Sequence, residues 1–286
     1  MNKKARVAAI TVFSNISLTL LKLLVGLLSG SVSILSEAIH SAIDLLASII
    51  AFFAVQLSNK KPDIKHPYGH GKYENISAVL EGLLILIAAV WIIYEAVHKL
   101  INPEEITSYG LASGIMFFAA ITNFFVSRML YKVAKETNSI ALEADALHLK
   151  TDIYTSLGVG LGIVLIWISG LLILDPLFAI IVALLIVREA FKLIQRAFDP
   201  LLDAGVGNKE FESINALIKS ELPSGINFSN LRIRQNGALY ILDFILEVPP
   251  KMSVEQAHNI CDNLELSIRE IYSEADIKIH VEPKKD

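Results

Sequence analysis

The sequence predicts an all-α bundle of six membrane-spanning helices over residues 1–202, followed by a small α+β domain over 203–286. Three observations lead there. Apolar residues make up 53% of the chain against 19% charged, and they gather in long runs that stop near Phe198. The resulting mean hydropathy of +0.54 lies far from the balance of an ordinary soluble domain. Lys and Arg fall almost entirely on one side of the runs, and beyond them the chain caps and alternates like a compact mixed domain.

A membrane span needs about 20 mostly apolar residues. Six segments meet that length: Val7–Leu28, Val32–Leu57, Ile76–Ala96, Tyr109–Val126, Ser139–Ile168 and Pro176–Phe191. Short turns, "SGS" and "SGLLILDP", join the first to the second and the fifth to the sixth, which predicts antiparallel neighbours. One side of the membrane collects Lys3, Lys4, Arg6, Lys60, Lys61, Lys65, Lys72, Arg128, Lys132, Lys135, Arg188, Lys192 and Arg196. The other has Lys99 alone. That asymmetry puts both termini in the cytoplasm, with the plasma (inner) membrane as the expected location.

In the tail, "NKEFESINALIKSEL" reads as a helix capped by Asn208. "NLRIRQNG" and "LYILDFILEV" alternate as strands around an Asn236-Gly237 turn. "SVEQAHNICDNLELSIREIY" opens on a Ser253/Gln256 capping box and continues as an amphipathic helix, and "DIKIHVEP" closes as a third strand. The α-β-β-α-β order predicts a two-layer fold of the ferredoxin-like, metallochaperone-like kind. A domain this small gains from dimerisation.

The composition limits function. A net charge of −4 argues against a nucleic-acid partner and leaves membrane lipid as the surroundings of the bundle. Cys261 is the only cysteine, so there is neither an intrachain disulfide nor a CxxC site. No GxxxxGK[ST] phosphate loop and no HExxH zinc-protease motif occurs, and the chain is not expected to be an enzyme.

Two octets carry the chemistry: "EAIHSAID" at 37–44 and "DALHLKTD" at 145–152. On a helix, residues i and i+4 share a face, so His40 points with Asp44 and His148 with Asp152. Glu37 and Asp145 precede each pair by a turn. They are expected nearer the outer side, attracting cations at an exit vestibule or reaching water. Ionisable side chains are costly in hydrocarbon and persist where they find partners inside the bundle. A lone His–Asp pair serves as a helix–helix hydrogen bond. The same pair repeated on two spans points to a metal or proton site, and two imidazoles with two carboxylates complete a tetrahedral Zn²⁺ shell. A second cluster, Asp63, His66 and His70 in "DIKHPYGHGK", is either a metal site or a solvated polar loop. Asn15, Lys22, Glu81, Asn123 and Lys150 line a water path or make interhelical contacts.

The chain resembles the cation diffusion facilitator family of divalent-metal/proton antiporters. The likeness rests on "SGSVSILSEAIHSAIDLLAS", "HPYGHGKYENISA", "EADALHLKTDIYTS" and "IHVEP" and runs over essentially the whole chain. It implies metal efflux by a homodimer, with His40, Asp44, His148 and Asp152 as the transport ligands. The two-His, two-Asp set is similar to zinc-transporting members, whereas manganese-type members replace a His with Asp or Asn; iron, cobalt, cadmium and manganese stay open as cargo. The resemblance also implies a second metal at Asp63, His66 and His70, a charge interlock between Lys72 and Asp203, and zinc ligands at His258, His280 and Glu282. Ile245 stands where a further His is expected, so the tail site is either reduced or structural. Rival readings are an intramembrane metalloenzyme and a metal-sensing membrane protein.

Overall fold

The structure is a computed structural model and describes residues 3–29, 32–101, 111–169, 173–273 and 275–284. Six long helices come first: α1 (Lys3–Ser29), α2 (Val32–Ser58), α3 (Lys72–Ile101), α4 (Leu111–Thr137), α5 (Ile140–Ser169) and α6 (Leu174–Phe198). Four of them, α1, α2, α3 and α6, contain an expected apolar run whole; α5 starts one residue after its run, and the first two residues of the fourth run lie outside the described residues. No proline interrupts a helix interior, and Pro176 falls in the first turn of α6, where a missing N–H is harmless. Among the described residues, three stretches are long and apolar enough to cross a membrane: Lys3–Val25, Ala38–Ser58 and Lys72–His98. Large apolar side chains such as Phe13, Leu28, Phe53, Ile87, Trp91 and Phe125 stand exposed on the helices, an arrangement suited to lipid and unfavourable in water.

The chain divides into two compact units. One holds residues 1–60 and 73–198, the other 61–72 and 199–286.

In the helical unit, α5 has two buried faces. Its Ala141, Leu142, Ala146 and Leu149 pack with Ala5 and Ala8 of α1, Val55 of α2 and Leu130, Val133 and Ala134 of α4. Its Ala144 and Leu147 pack with Ala78, Ile85 and Ala89 of α3 and Ile186, Ala190 and Leu193 of α6. Alanine recurs at both seams because small side chains let helices approach where lipid gives no hydrophobic drive. Gly82 shows how near α3 and α6 come: a Cβ there would lie 2.5 Å from Ile194 Cγ1.

The second unit adds a short 3₁₀ turn (Asp199–Leu202), then α7 (Asn208–Glu221), β1 (Asn227–Asn236), β2 (Leu239–Val248), α8 (Val254–Ile271) and β3 (Asp276–Pro283). The sheet order is β1-β2-β3, with β1 antiparallel and β3 parallel to β2. Ile214, Ile218, Leu242, Leu246, Leu264 and Ile268 form its centre. The capping box at α8 is present: Gln256 N–H donates to Ser253 Oγ at 3.2 Å and Ser253 N–H to Gln256 Oε1 at 3.1 Å. At α7 the expected Asn208 cap moves one residue, because the cap is Gly207, whose N–H donates to Glu210 Oε2.

The loop 61–72 is seated on the hairpin. Asn236 Nδ2 donates to the Tyr68 carbonyl, and the cations of Arg234 and Lys278 lie 5.3 and 5.1 Å from the Tyr68 ring centre. A Cβ on Gly71 would come within 2.3 Å of the Asn236 carbonyl oxygen. Only glycine fits there.

Candidate metal centre

The two octets meet where α2 and α5 cross. His148 Nε2 and Asp44 Oδ1 are 3.0 Å apart. A carboxylate only accepts, so the ring nitrogen donates. His40 Nε2 lies 4.0 Å from the same Asp44 oxygen. One ligand atom each of His40, Asp44 and Asp152 falls within 4.8 Å of the others. Zn²⁺ bonds of about 2.0–2.1 Å at tetrahedral angles set ligand atoms roughly 3.3 Å apart, so small side-chain rotations would let these groups share one ion. All four residues line a single cavity of about 650 Å³ together with Asn15, Lys22 and Trp91. Asp44 and His148 are each 7% exposed, and His40 opens to the cavity.

A polar chain continues from this point. Ser48, one turn beyond Asp44, receives a hydrogen bond from Asn15 Nδ2 at 2.6 Å and donates to Asp145 Oδ1 at 3.2 Å. Lys22 Nζ donates to Ser41 Oγ at 2.8 Å. Asp145 is 0% exposed, which corrects the expectation that it reaches water or an exit vestibule. The reason is direction. Asp44 meets His148 while Ser48 meets Asp145, so α2 and α5 run antiparallel. A step back along α5 therefore leads away from the end that a step back along α2 approaches. The Glu37 side chain lies outside the described residues.

In the second unit, Asp63, His66 and His70 also converge within 4.8 Å. His66 Nδ1 is 3.3 Å from Asp63 Oδ1 and His70 Nε2 is 3.4 Å from Asp63 Oδ2. The backbone N–H of His66, at 2.7 Å, and then that of Lys65 hold the Asp63 carboxyl below its usual range. This exposed carboxylate is thus ionised and acceptor-rich, as a metal ligand must be. Lys72 Nζ reaches Asp203 Oδ1 at 2.8 Å, and Arg234 reaches the same oxygen at 2.8 Å.

In the tail, His280 Nε2 is 3.3 Å from Glu282 Oε1 on β3. His258 on α8 faces Asp262 at 3.7 Å instead. Among the described residues, His258, His280 and Glu282 form no converging trio within the chain. Ile245 is the strand partner of His280, so an apolar side chain occupies the register position beside it.

Comparison with known proteins bears on what these sites serve. The model of the cation efflux transmembrane domain matches residues 8–202, and that of the cation efflux protein cytoplasmic domain matches 206–284. The chain belongs to the cation efflux family. It is 34% identical over 93% of its length to the uncharacterized transporter sll1263 of Synechocystis sp., covering 86% of that protein. It is 32% identical to the cation-efflux pump FieF of Shewanella oneidensis, over 96% of this chain and 92% of that one. It is 31% identical to the manganese efflux system protein MneP of Bacillus subtilis, over 97% and 95%. Proteins of this cation diffusion facilitator group are membrane transporters, not enzymes.

One residue of the stretch "HPYGHGKYENISA" has a role in the fold that the sequence does not announce. Glu74 on α3 is 1% exposed. Its Oε1 accepts from Ser58 Oγ at 2.7 Å and from Lys4 Nζ at 3.1 Å, and its Oε2 accepts from Ser139 Oγ. One carboxylate thereby ties α1, α2 and α3 to the residue that precedes α5. A lone Glu two residues past Lys72 carries no spacing signal, and neither do Ser48 and Ser41. Ser41 lies inside the first octet and Ser48 four residues past its end, and that placement was the available hint for these two.

Proposed function

We propose that the chain exports a divalent metal ion from the cytoplasm in exchange for protons, by alternating access, with Zn²⁺ as the principal cargo. His40, Asp44, His148 and Asp152 are the transport ligands. The observation that carries this reading is the convergence of two imidazoles and two carboxylates from α2 and α5 on one partly enclosed cavity. Two carboxylates against one divalent cation leave the occupied site near neutral, which limits the cost of holding an ion in low dielectric. Metal and protons compete for the same four side chains, since binding needs neutral imidazole and ionised carboxylate. Protons arriving from outside therefore displace the ion, and their release inward resets the site.

Two nitrogen and two oxygen donors favour Zn²⁺ over the oxygen-rich shells that suit manganese. The relative MneP bears manganese in its name, so Mn²⁺ is the rival cargo to test first, before Fe²⁺, Co²⁺ and Cd²⁺. The six long helices and the one-sided Lys and Arg support a six-span reading with both termini cytoplasmic, in the inner membrane. Residues 1–202 carry transport and 203–286 carry dimerisation and regulation. Asp63, His66 and His70 hold a second metal ion, and Lys72–Asp203 is a charge interlock. His258, His280 and Glu282 contribute a reduced tail site across a homodimer.

The test is flux of Zn²⁺, Mn²⁺, Fe²⁺ and Co²⁺ in reconstituted vesicles at two pH values. Zinc movement driven by an opposing proton gradient, lost in Asp152→Ala, supports the reading; zinc binding without flux in the wild type defeats it and favours a sensor.

A further inference from the structure

Glu81 lies on the face of α3 that carries Ala78 and Ile85, which share one buried cluster with Ala144 and Leu147 of α5 and Ile186, Ala190 and Leu193 of α6. It is 3% exposed, and neither of its carboxyl oxygens has a hydrogen-bond partner among the described residues. A buried carboxyl left this way is costly unless something eventually engages it. On α5, Nδ1 of His148 is in the same condition, buried and without a hydrogen-bond partner, while Nε2 is engaged by Asp44. Glu81 and His148 interact electrostatically.

We propose that Glu81 is the positioning carboxylate of the transport site, accepting the Nδ1–H of His148 when Nε2 turns from Asp44 to the ion. The inference rests on the transport reading and adds a residue to it. To ligate a metal, Nε2 must release its proton to the water of the cavity, which leaves the ring's one N–H at Nδ1, a position that is buried and without a hydrogen-bond partner. Metal-ligating histidines almost always donate that second N–H to a carboxylate, a carbonyl or water, which fixes the ring and raises its basicity. Besides the proposed ligands Asp44 and Asp152, two carboxylates interact electrostatically with His148, Glu81 and Asp145. Asp145 already receives Ser48 on one oxygen, whereas Glu81 has both oxygens uncommitted. Because Glu81 stands on α3 and the four ligands on α2 and α5, the bond would also register α3 against the occupied site.

The experiment compares full-length wild type, Glu81→Met, Glu81→Gln and Asp145→Asn in vesicles. Zinc flux is measured alongside the ¹⁵N-imidazole spectrum of the zinc-bound protein, with the His148 signals assigned from His148→Gln. Glu81→Met keeps volume and removes the acceptor. It raises KM for zinc by about 10–100-fold with kcat little changed, and shifts the His148 Nδ1–H signal. Glu81→Gln, which retains an acceptor oxygen, falls between. A wild-type KM and an unmoved Nδ1–H signal in Glu81→Met overturn the inference, as does finding both changes in Asp145→Asn and neither in Glu81→Met. The imidazole spectrum needs no flux. A wild-type chain that moved no metal would defeat the transport reading and leave the His148 signal to decide on Glu81.

Discussion

His148 and Asp44, 104 positions apart in sequence, satisfy each other across 3.0 Å at the crossing of α2 and α5. On the proposed transport reading these are the two most enclosed ligands, and an arriving ion would take both in exchange for this bond. Asp44→Asn keeps the shape, removes the charge and leaves His148 facing an amide. Zinc flux in vesicles is expected to fall by at least about 100-fold, the upper end of what losing an outer-shell partner costs, with the protein still monodisperse.

Glu74 and Lys4 make a buried ion pair, with side-chain exposures of 1% and 12%. Removing one partner strands the other charge. Glu74→Ala is expected to destabilise the protein by about 3–5 kcal/mol, read as a drop in melting temperature in detergent. Replacing both residues by Met should recover part of the loss, because it removes the stranded charge although Ser58 and Ser139 still lose their acceptor. Equal melting temperatures for the single and double variants would contradict this account.

Asp203 gives a pH dependence. The hydrogen bond from Lys72, followed by that from Arg234, holds its carboxyl below the ordinary 3.8. A lowered folded-state value means that the bond's contribution is complete above the unfolded value and disappears as pH falls through the folded one. Between about pH 5 and pH 3, wild type should therefore lose thermal stability more steeply than Asp203→Asn. The group is half exposed, so solvent screening keeps the difference small. Parallel slopes would show that the pair contributes nothing.

Gly71 is required by contact. A methyl group there would collide with the Asn236 carbonyl at 2.3 Å, and neither backbone segment can yield as a flexible side chain does. Gly71→Ala should cost about 1–3 kcal/mol and expose the 61–72 loop to limited proteolysis. Unchanged cleavage would mean that the loop does not depend on this seat.

The helices were legible because apolar runs of membrane length cannot be much else, yet the structure carries several past the expected ends. α4 continues from Val126 to Thr137, since a helix need not stop where the hydrocarbon does. The convergence of His40, Asp44, His148 and Asp152 was legible from one repeated spacing. What remained hidden depended on how elements meet. The antiparallel run of α2 and α5 was already implied by six alternating spans, and it sets Asp145 toward the opposite end from Glu37; its enclosure depends on Ser48 and the neighbouring helices, which periodicity within one helix does not report. The seat of the 61–72 loop joins Tyr68 to Asn236 through a backbone carbonyl, which leaves no trace in side-chain pattern. The Gly207 cap differs from the expected Asn208 by one residue because Glu210 reaches back to a backbone N–H, so the capping side chain comes from inside the helix.

The double-faced burial of α5 constrains any rearrangement of the bundle. The α1/α2/α4 group and the α3/α6 group each press on their own side of that helix, through Ala146 and Ala144 respectively. Relative motion of the two groups would run along one or both of these alanine-lined surfaces, so α5 is the rail they share. Bulk grafted at position 144 or at position 146 would then jam different halves of the same machine, and the two arrests could be told apart by which side of the metal cavity stays open.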